Sequence, residues 1–294
     1  MIERTESGLC PKVSWMTALG GYLRGWALSI APIAACAVAL TGLAKADYVS
    51  TVTGTDSSNL LAYWHLDSVN QASAVNGYSS TWGSGVTVAP TAPDAGDTAS
   101  ASFDGSSTAT IDTGLSNAFT DGGTMLSWVN LAELPSTLNR IDYVMGVSQF
   151  GNDLDVQFQN NNQLYFYTQS GASISFAPTP STLVGQWHMI AATYDSSGNY
   201  DLYWDGQLEA SGTGAHQTHS NEFAIGYSPV FGGRNFDGNI DEVSVWNTDL
   251  TGSQIQTIYN SASLQPVPEP AMFLPLTGGI LALVGWARRR RARG

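Results

Sequence analysis

The clearest pattern in the chain is a period-two alternation of side chains between Trp187 and Trp204. Trp187, Met189 and Ala191 alternate with His188, Ile190 and Ala192, which predicts a strand buried on one face and partly covered on the other. Asp195, Gly198 and Asn199 then supply residues that tolerate turn dihedrals. In the next run Leu202 and Trp204 share one face while Asp201, Tyr203 and Asp205 share the other, as expected of a half-solvated strand. Asp205-Gly206 is the tightest hairpin signal in the sequence, because a type I′ turn needs positive φ at both central positions. Gly185 to Gly214 is therefore expected to form three antiparallel strands and two turns.

Strand-like runs recur along the chain. Leu60 to Leu66 is one, ended by Asp67, and Ala101 to Ile111 is a strand, turn and strand about Asp104-Gly105. Thr124 to Leu131 has the pattern of a buried strand. Ile141 to Phe150, Asp153 to Gln159 and Gln163 to Thr168 are alternating runs separated by Asn- and Gly-rich turns. Short strands at this spacing predict an all-β sandwich. Asp47 to Asn59 is expected to be a lead-in strand or linker. Ser68 to Ser100 reads as an insertion with one short strand near Val86 to Val88, and a loop of that length is either functional or poorly ordered. One helix is predicted near the C-terminus. Thr251 and Gln254 form a capping box, Leu250 and Ile255 sit at staple positions, and Ile255, Ile258 and Tyr259 make an apolar stripe that packs across the sandwich.

Both ends have a different character. Arg4, Lys12 and Arg24 precede an apolar run from Trp26 to Leu43 and an Ala44-Lys45-Ala46 cleavage pattern, which together predict a signal peptide over 1–46. At the other end Pro268, Glu269 and Pro270 precede an apolar segment, 271–287, and then Arg288 to Arg291. This 266–294 tail resembles a PEP-CTERM sorting signal, which implies an exosortase-type processing enzyme as partner. Seventeen helical residues would span about 25 Å at ~1.5 Å each, a marginal span for a ~30 Å hydrocarbon core and so suited to a temporary anchor. The arginines would hold this end on the cytoplasmic side.

Removing the ends changes the charge picture. Of 24 acidic residues only Glu3, Glu6 and Glu269 lie outside 47–265, leaving 21; of 11 basic residues only Arg140 and Arg234 lie inside, for a formal charge of −19. Such a surface repels phosphate backbones, which argues against nucleic-acid binding. Cys10 and Cys36 both fall in the leader, so the 47–265 domain has neither disulfides nor thiol chemistry.

The 185–214 hairpins, with their Trp187-His188 opening, Tyr194-Asp195 turn and Asp205-Gly206 closing, resemble the centre of laminin G-like, concanavalin A-type domains. The runs at 60–67, 102–112, 123–130 and 221–260 agree with that family in order. The resemblance implies a two-sheet antiparallel jelly roll. It also implies a calcium ion where the first and last strands meet, with Asp67, Asp104 and Asp241 at the matching positions, since calcium takes six to eight oxygens.

Function follows less directly from the residues. Glu133, Glu209, Glu222 and Glu242 come from separate segments, without the E-x-D-x-x-E spacing of glucanases of this fold, and Asp153 and Asp155 share a face beside a turn. His216 and His219 share a loop that holds no third ligand. Sugar binding needs exposed aromatic platforms. Trp82, Tyr165, Tyr167, Tyr227 and Phe231, in or beside Gly/Asn-rich loops, are the candidates, whereas Trp64, Trp128, Trp187, Trp204 and Trp246 fit the core or sheet faces. The expectation is an exported, non-enzymatic surface or matrix protein that binds extracellular polysaccharide or other partners. The alternatives are a secreted glycan-active enzyme and a purely structural matrix component.

Overall fold

The computed structural model describes residues 47–262 apart from Ala95, 151–152, 169–172 and 215–217. The leader, the tail with Pro268, Glu269 and Pro270, and His216 lie outside the described residues. Among those described, no helix is long and apolar enough to cross a membrane.

In chain order the elements are α1 (Tyr48–Gly54), β1 (Leu60–Trp64), β2 (Thr81–Trp82), β3 (Val86–Ala89), β4 (Ser100–Asp104), β5 (Ile111–Ser116), β6 (Gly123–Leu131) and α2 (Pro135–Leu138). They continue with β7 (Asp142–Val147), β8 (Leu154–Phe158), β9 (Leu164–Tyr167), β10 (Ser173–Phe176), α3 (Pro180–Leu183), β11 (His188–Tyr194), β12 (Asn199–Trp204), β13 (Gln207–Thr213), β14 (Glu222–Ile225), β15 (Asp237–Trp246) and α4 (Gly252–Ser261). The strands make two antiparallel sheets. Sheet A runs β13-β12-β11-β6-β15-β4-β3 with β1 also on β15, and sheet B runs β10-β9-β8-β7-β14-β5-β2. Their facing sides share one core that includes Trp64, Phe103, Phe166, Ile190, Leu202 and Phe223. The expected jelly-roll sandwich is the observed fold.

The central hairpins form as their sequence dictates. Asp205 and Gly206 take φ of 49° and 77°, the pair of positive values that a type I′ turn requires. Leu202 and Trp204 enter the core, but Tyr203 is not on a wetted face: it belongs to a second cluster, with Trp128, Met189, Ala191 and Trp246, on the outer side of sheet A. Helices α1 and α4 cover that side. Tyr259 of α4 stacks on Trp128 at 5.7 Å, and Tyr48 of α1 meets the same indole edge-on at 6.3 Å. The expected lead-in strand or linker at 47–59 is thus a helix over its first half. The capping box at Thr251 and Gln254 is formed in both directions.

Strand β15 is where the first and last strands meet. β6 pairs along one of its edges, and two strands share the other: β4 pairs with Asp237 to Ile240, and β1 pairs with Val243 to Trp246. At the junction the register slips, and Glu242 adopts a positive φ of 53°. A bulge inserts an extra residue between two inward ones. Ile240 and Val243 both enter the core, and Asp241 and Glu242 are left together on the outer side.

Candidate functional site

The shared edge of β15 brings the end of β1 and the start of β4 to the same place. Asp67 lies just beyond β1 and Asp97 just before β4; with Asp241 they offer carboxylate oxygens that all lie within 4.8 Å of one another. Local bonding aims these groups. The Asp67 amide donates to Gln71 Oε1 at 2.8 Å, and the Thr98 and Ala99 amides donate to one Asp97 oxygen at 2.5 and 3.2 Å. The remaining Asp97 oxygen, one Asp67 oxygen and both oxygens of the fully buried Asp241 have no hydrogen-bond partner.

The electrostatics are one-sided. Burial, then the Asp97 carboxylate, pushes the Asp67 pKa up to about 6. Burial and the charges of Asp97 and Asp67 push Asp241 well above the usual carboxylate range. No lysine exists among the described residues to relieve this. Arg140 is tied to Asp142 and Asp237, and Arg234 lies over the Phe231 ring. An all-oxygen set with an orphaned buried carboxylate suits a hard divalent cation such as calcium. Next to it, Tyr63 donates to Glu242, whose other oxygen is 3.2 Å from His65 Nδ1.

Asp104 is not part of this group. It is exposed at the last position of β4, and the bonds it accepts from Ser106 in the following turn lower its pKa. Asp97, seven residues earlier, is the third carboxylate. The long 68–100 insertion therefore carries a candidate ligand as well as β2 and β3.

The outer side of sheet B is the second region. One row of paired residues crosses it: Tyr167, Asp155, Gly146, Ala224, Asp112 and Thr81. Small residues floor the middle, with carboxylates on both sides. Tyr165 and Tyr167 stand next to each other on β9, rings stacked at 5.7 Å. Asp155 is buried with neither oxygen bonded, and burial, then Asp153, pushes its pKa well up. Residues 226–236 fold over this side as a hairpin closed by the Tyr227–Asn235 bridge. Tyr227 donates to Asp112, the Ser228 and Ser148 hydroxyls meet at 2.8 Å, and Arg234 donates to Gln157 at 3.4 Å. Phe231 stacks under the Arg234 guanidinium at 4.4 Å.

Four of the five expected aromatic residues thus gather on or above this face. Trp82 does not: its ring packs against the core at the sheet edge, and its indole N–H donates to Ser80. Unforeseen from sequence is a cavity of about 390 Å³ between β7, β14 and β5, lined by Ser116, Ser148, Asn221, Glu222, Tyr227 and Pro229 among others.

These features define a two-sheet jelly-roll module with one outer side closed by helices and the other left polar and aromatic. A laminin G-type family model, described as the concanavalin A-like lectin/glucanases superfamily, matches residues 103–256, just over half of the chain, and the chain belongs to that family. No curated protein sequence matches. Among solved structures it is similar to the binding domain of Paraclostridial Mosquitocidal Protein 1, with TM-score 0.57 and 15% identity over 69% of this chain and 52% of that one. Domain 4 of AbnA, a GH43 extracellular arabinanase from Geobacillus stearothermophilus in complex with arabinotriose, gives TM-score 0.54 and 18% identity over 68% and 98%. A Trypanosoma rangeli sialidase gives 0.52 and 16% over 69% and 32%. The match spans about half the length of the toxin domain, and at these identities the likeness is one of fold.

Proposed function

We propose that this chain is an exported, non-enzymatic module that binds carbohydrate on the outer side of sheet B and holds a calcium ion between Asp67, Asp97 and Asp241. The observation that carries the reading is the contrast between the two outer sides. Sheet A is sealed by α1 and α4 over an apolar cluster, whereas sheet B presents stacked tyrosines, carboxylates, hydroxyls and a cavity, the mixture sugar sites use. The arabinotriose complex of the arabinanase domain is consistent with it.

Calcium is placed in the cradle because its oxygens are otherwise unsatisfied, and it would pin the 68–100 insertion to β15. The proposal includes a leader over 1–46 and an exosortase-type tail carrying Pro268, Glu269 and Pro270, leaving the domain in the envelope, at the cell surface or outside the cell. Helices α1 and α4 begin and end the described domain and contact each other on sheet A. A tether at either end would leave the sheet B side free.

A glycan array with the purified protein, with and without calcium, tests the reading: binding to at least one glycan supports it, and no binding refutes it. Asp155, buried with a raised pKa on the same side as Asp153, favours a second reading as a glycan-active enzyme. Polysaccharide turnover lost in Asp155→Asn would establish that reading instead.

A further inference from the structure

Within the sheet B face, the 226–236 hairpin bonds Gln157, Ser148 and Asp112, and its Tyr227 and Pro229 line the cavity over β7, β14 and β5, whereas Tyr165 and Tyr167 of β9 are not in that lining. The cavity has its own equipment. At about 390 Å³ it sits at the lower end of the ~300–1,000 Å³ typical of small-ligand sites, enough for one sugar unit and part of its neighbour. Ser148 and Pro229 lie in its wall, and two positions beyond each comes an aromatic ring, Phe150 and Phe231. These rings lie 6.1 Å apart, and Phe150 is 85% exposed. The Phe231 amide donates to Ser228, whose hydroxyl meets that of Ser148 in the wall, so this exposed ring pair is tied to the cavity through one residue and offers a stacking platform for the apolar face of a sugar.

The bonding capacity of the wall selects the ligand. Glu222 accepts the Gly114 amide with one oxygen and, as a carboxylate, can only accept with the other. The Asn221 amide donates one of its two N–H groups to the Ser148 carbonyl at 2.9 Å, and the Tyr227 hydroxyl is committed to Asp112. The spare capacity is the second Glu222 oxygen, the other Asn221 N–H and the Ser116 and Ser220 hydroxyls, a mixture of acceptors and neutral donors with no cation among them, which matches the hydroxyls of an uncharged sugar. An anionic sugar brings more acceptors and a negative charge to a wall that already carries Glu222 and, through Tyr227, Asp112. The arginine on this face, Arg234, is turned to Phe231 and Gln157.

We infer that the cavity beside Phe150 and Phe231 is the primary glycan subsite and that it takes a neutral sugar unit, excluding uronic, sialic and sulfated sugars. This rests on the carbohydrate-binding reading and narrows it to one half of the face and one charge class.

Affinity electrophoresis of the full chain tests it, with gels containing linear arabinan, mixed-linkage β-glucan or galactomannan against polygalacturonate or alginate. The expected result is retardation by at least one neutral polymer and by neither anionic one. Ser116→Trp, at an exposed strand position that fills the cavity, and the near-isosteric Glu222→Gln should each weaken the neutral interaction at least about tenfold, while Tyr167→Ala weakens it less. Melting temperatures matching the parent show that the variants fold. Retardation by polygalacturonate or alginate overturns the charge assignment. Neutral binding that survives both cavity variants but fails in Tyr167→Ala overturns the subsite and leaves the carbohydrate reading intact. No retardation by any polymer overturns both.

Discussion

Replacing Asp97 by Asn separates a cation cradle from a merely acidic corner. Three carboxylate oxygens lie within 4.8 Å of one another. At an effective dielectric of about 20, two unit charges at that distance repel by about 3.5 kcal/mol, so three ionised pairs would cost about 10 kcal/mol. That rivals the ~5–15 kcal/mol stability of a whole domain. The cation-free protein therefore cannot keep all three ionised, which agrees with the raised pKa values of Asp67 and Asp241. A group whose folded pKa is raised contributes stability that is complete below its unfolded value, near pH 4, and is lost as pH rises through the folded value. For Asp67 that window runs from about pH 4 to about 6.

Calcium should reverse the trend at neutral pH. At a concentration one hundred times Kd it adds about 2.7 kcal/mol, or roughly 5–10 °C in Tm at the ~2–4 °C per kcal/mol of a domain this size. Differential scanning calorimetry in chelator and in calcium reads the shift directly. Asp97→Asn should melt no lower than the parent in chelator, because one repelling charge is gone, and should lose most of the calcium shift. A parent protein with the same Tm in both buffers, or an Asp97→Asn protein that keeps the full shift, would refute the cradle.

Three further outcomes are expected from the packing. Gly206→Ala should cost roughly 1–3 kcal/mol in chemical denaturation, because Gly206 has φ of 77° and a Cβ there would lie 2.9 Å from the Tyr259 Cβ. Arg140→Gln should cost about 3 kcal/mol at neutral pH. It strips the partner from the fully buried Asp142, whose pKa burial raises to about 6 even beside Arg140, so the cost should shrink as pH falls below that value. Burial lowers the His188 pKa, but the Asp205 carboxylate at 2.8 Å and the Thr182 carbonyl raise it more, for a net rise. The stability from this pair should be complete below about pH 6.5 and lost as pH rises through the folded value. The difference between the parent and His188→Gln, followed by urea unfolding across pH, should shrink in that direction.

What the sequence disclosed was governed by distance along the chain. The β12–β13 turn was legible because Asp205-Gly206 alone satisfies its dihedrals, and α4 because its cap is complete within four residues. Helix α1 was not, since Val49, Thr51, Val52, Thr53 and Thr55 are β-branched and read as strand. It forms because Tyr48 and Val52, one turn apart, are buried on the sheet A side, and because the Thr51, Thr53 and Thr55 hydroxyls bond carbonyls four residues back. Tertiary burial overrides propensity there. The single-turn helices α2 and α3 share the sequence Pro-Ser-Thr-Leu, with proline in the first turn of each. That repeat was present in the sequence as a signal.

The candidate sites divide along the same line. Tyr165 and Tyr167 were legible because aromatic residues beside Gly/Asn-rich loops stand out in the sequence, and the structure adds that they share one face of β9 with their rings stacked. The meeting of Ser148, Glu222 and Ser116 in one cavity wall was not, because it depends on the register of three strands that are far apart in sequence. Asp67 and Asp241 stood beside strand motifs, whereas Asp97 lay in a Ser/Gly/Ala/Thr stretch with no local spacing to mark it. Asp104 stands out through its Phe103 and Gly105 neighbours, yet Phe-Asp-Gly is equally a turn signal, and the turn uses that carboxylate on the Ser106 amide at 2.9 Å. What selects Asp97 instead is the sharing of one β15 edge by β1 and β4, which makes the residue just before β4 meet the residue just after β1. If that edge were paired by a single continuous strand, neither loop would reach Asp241, and its carboxyl would be buried with nothing opposite it.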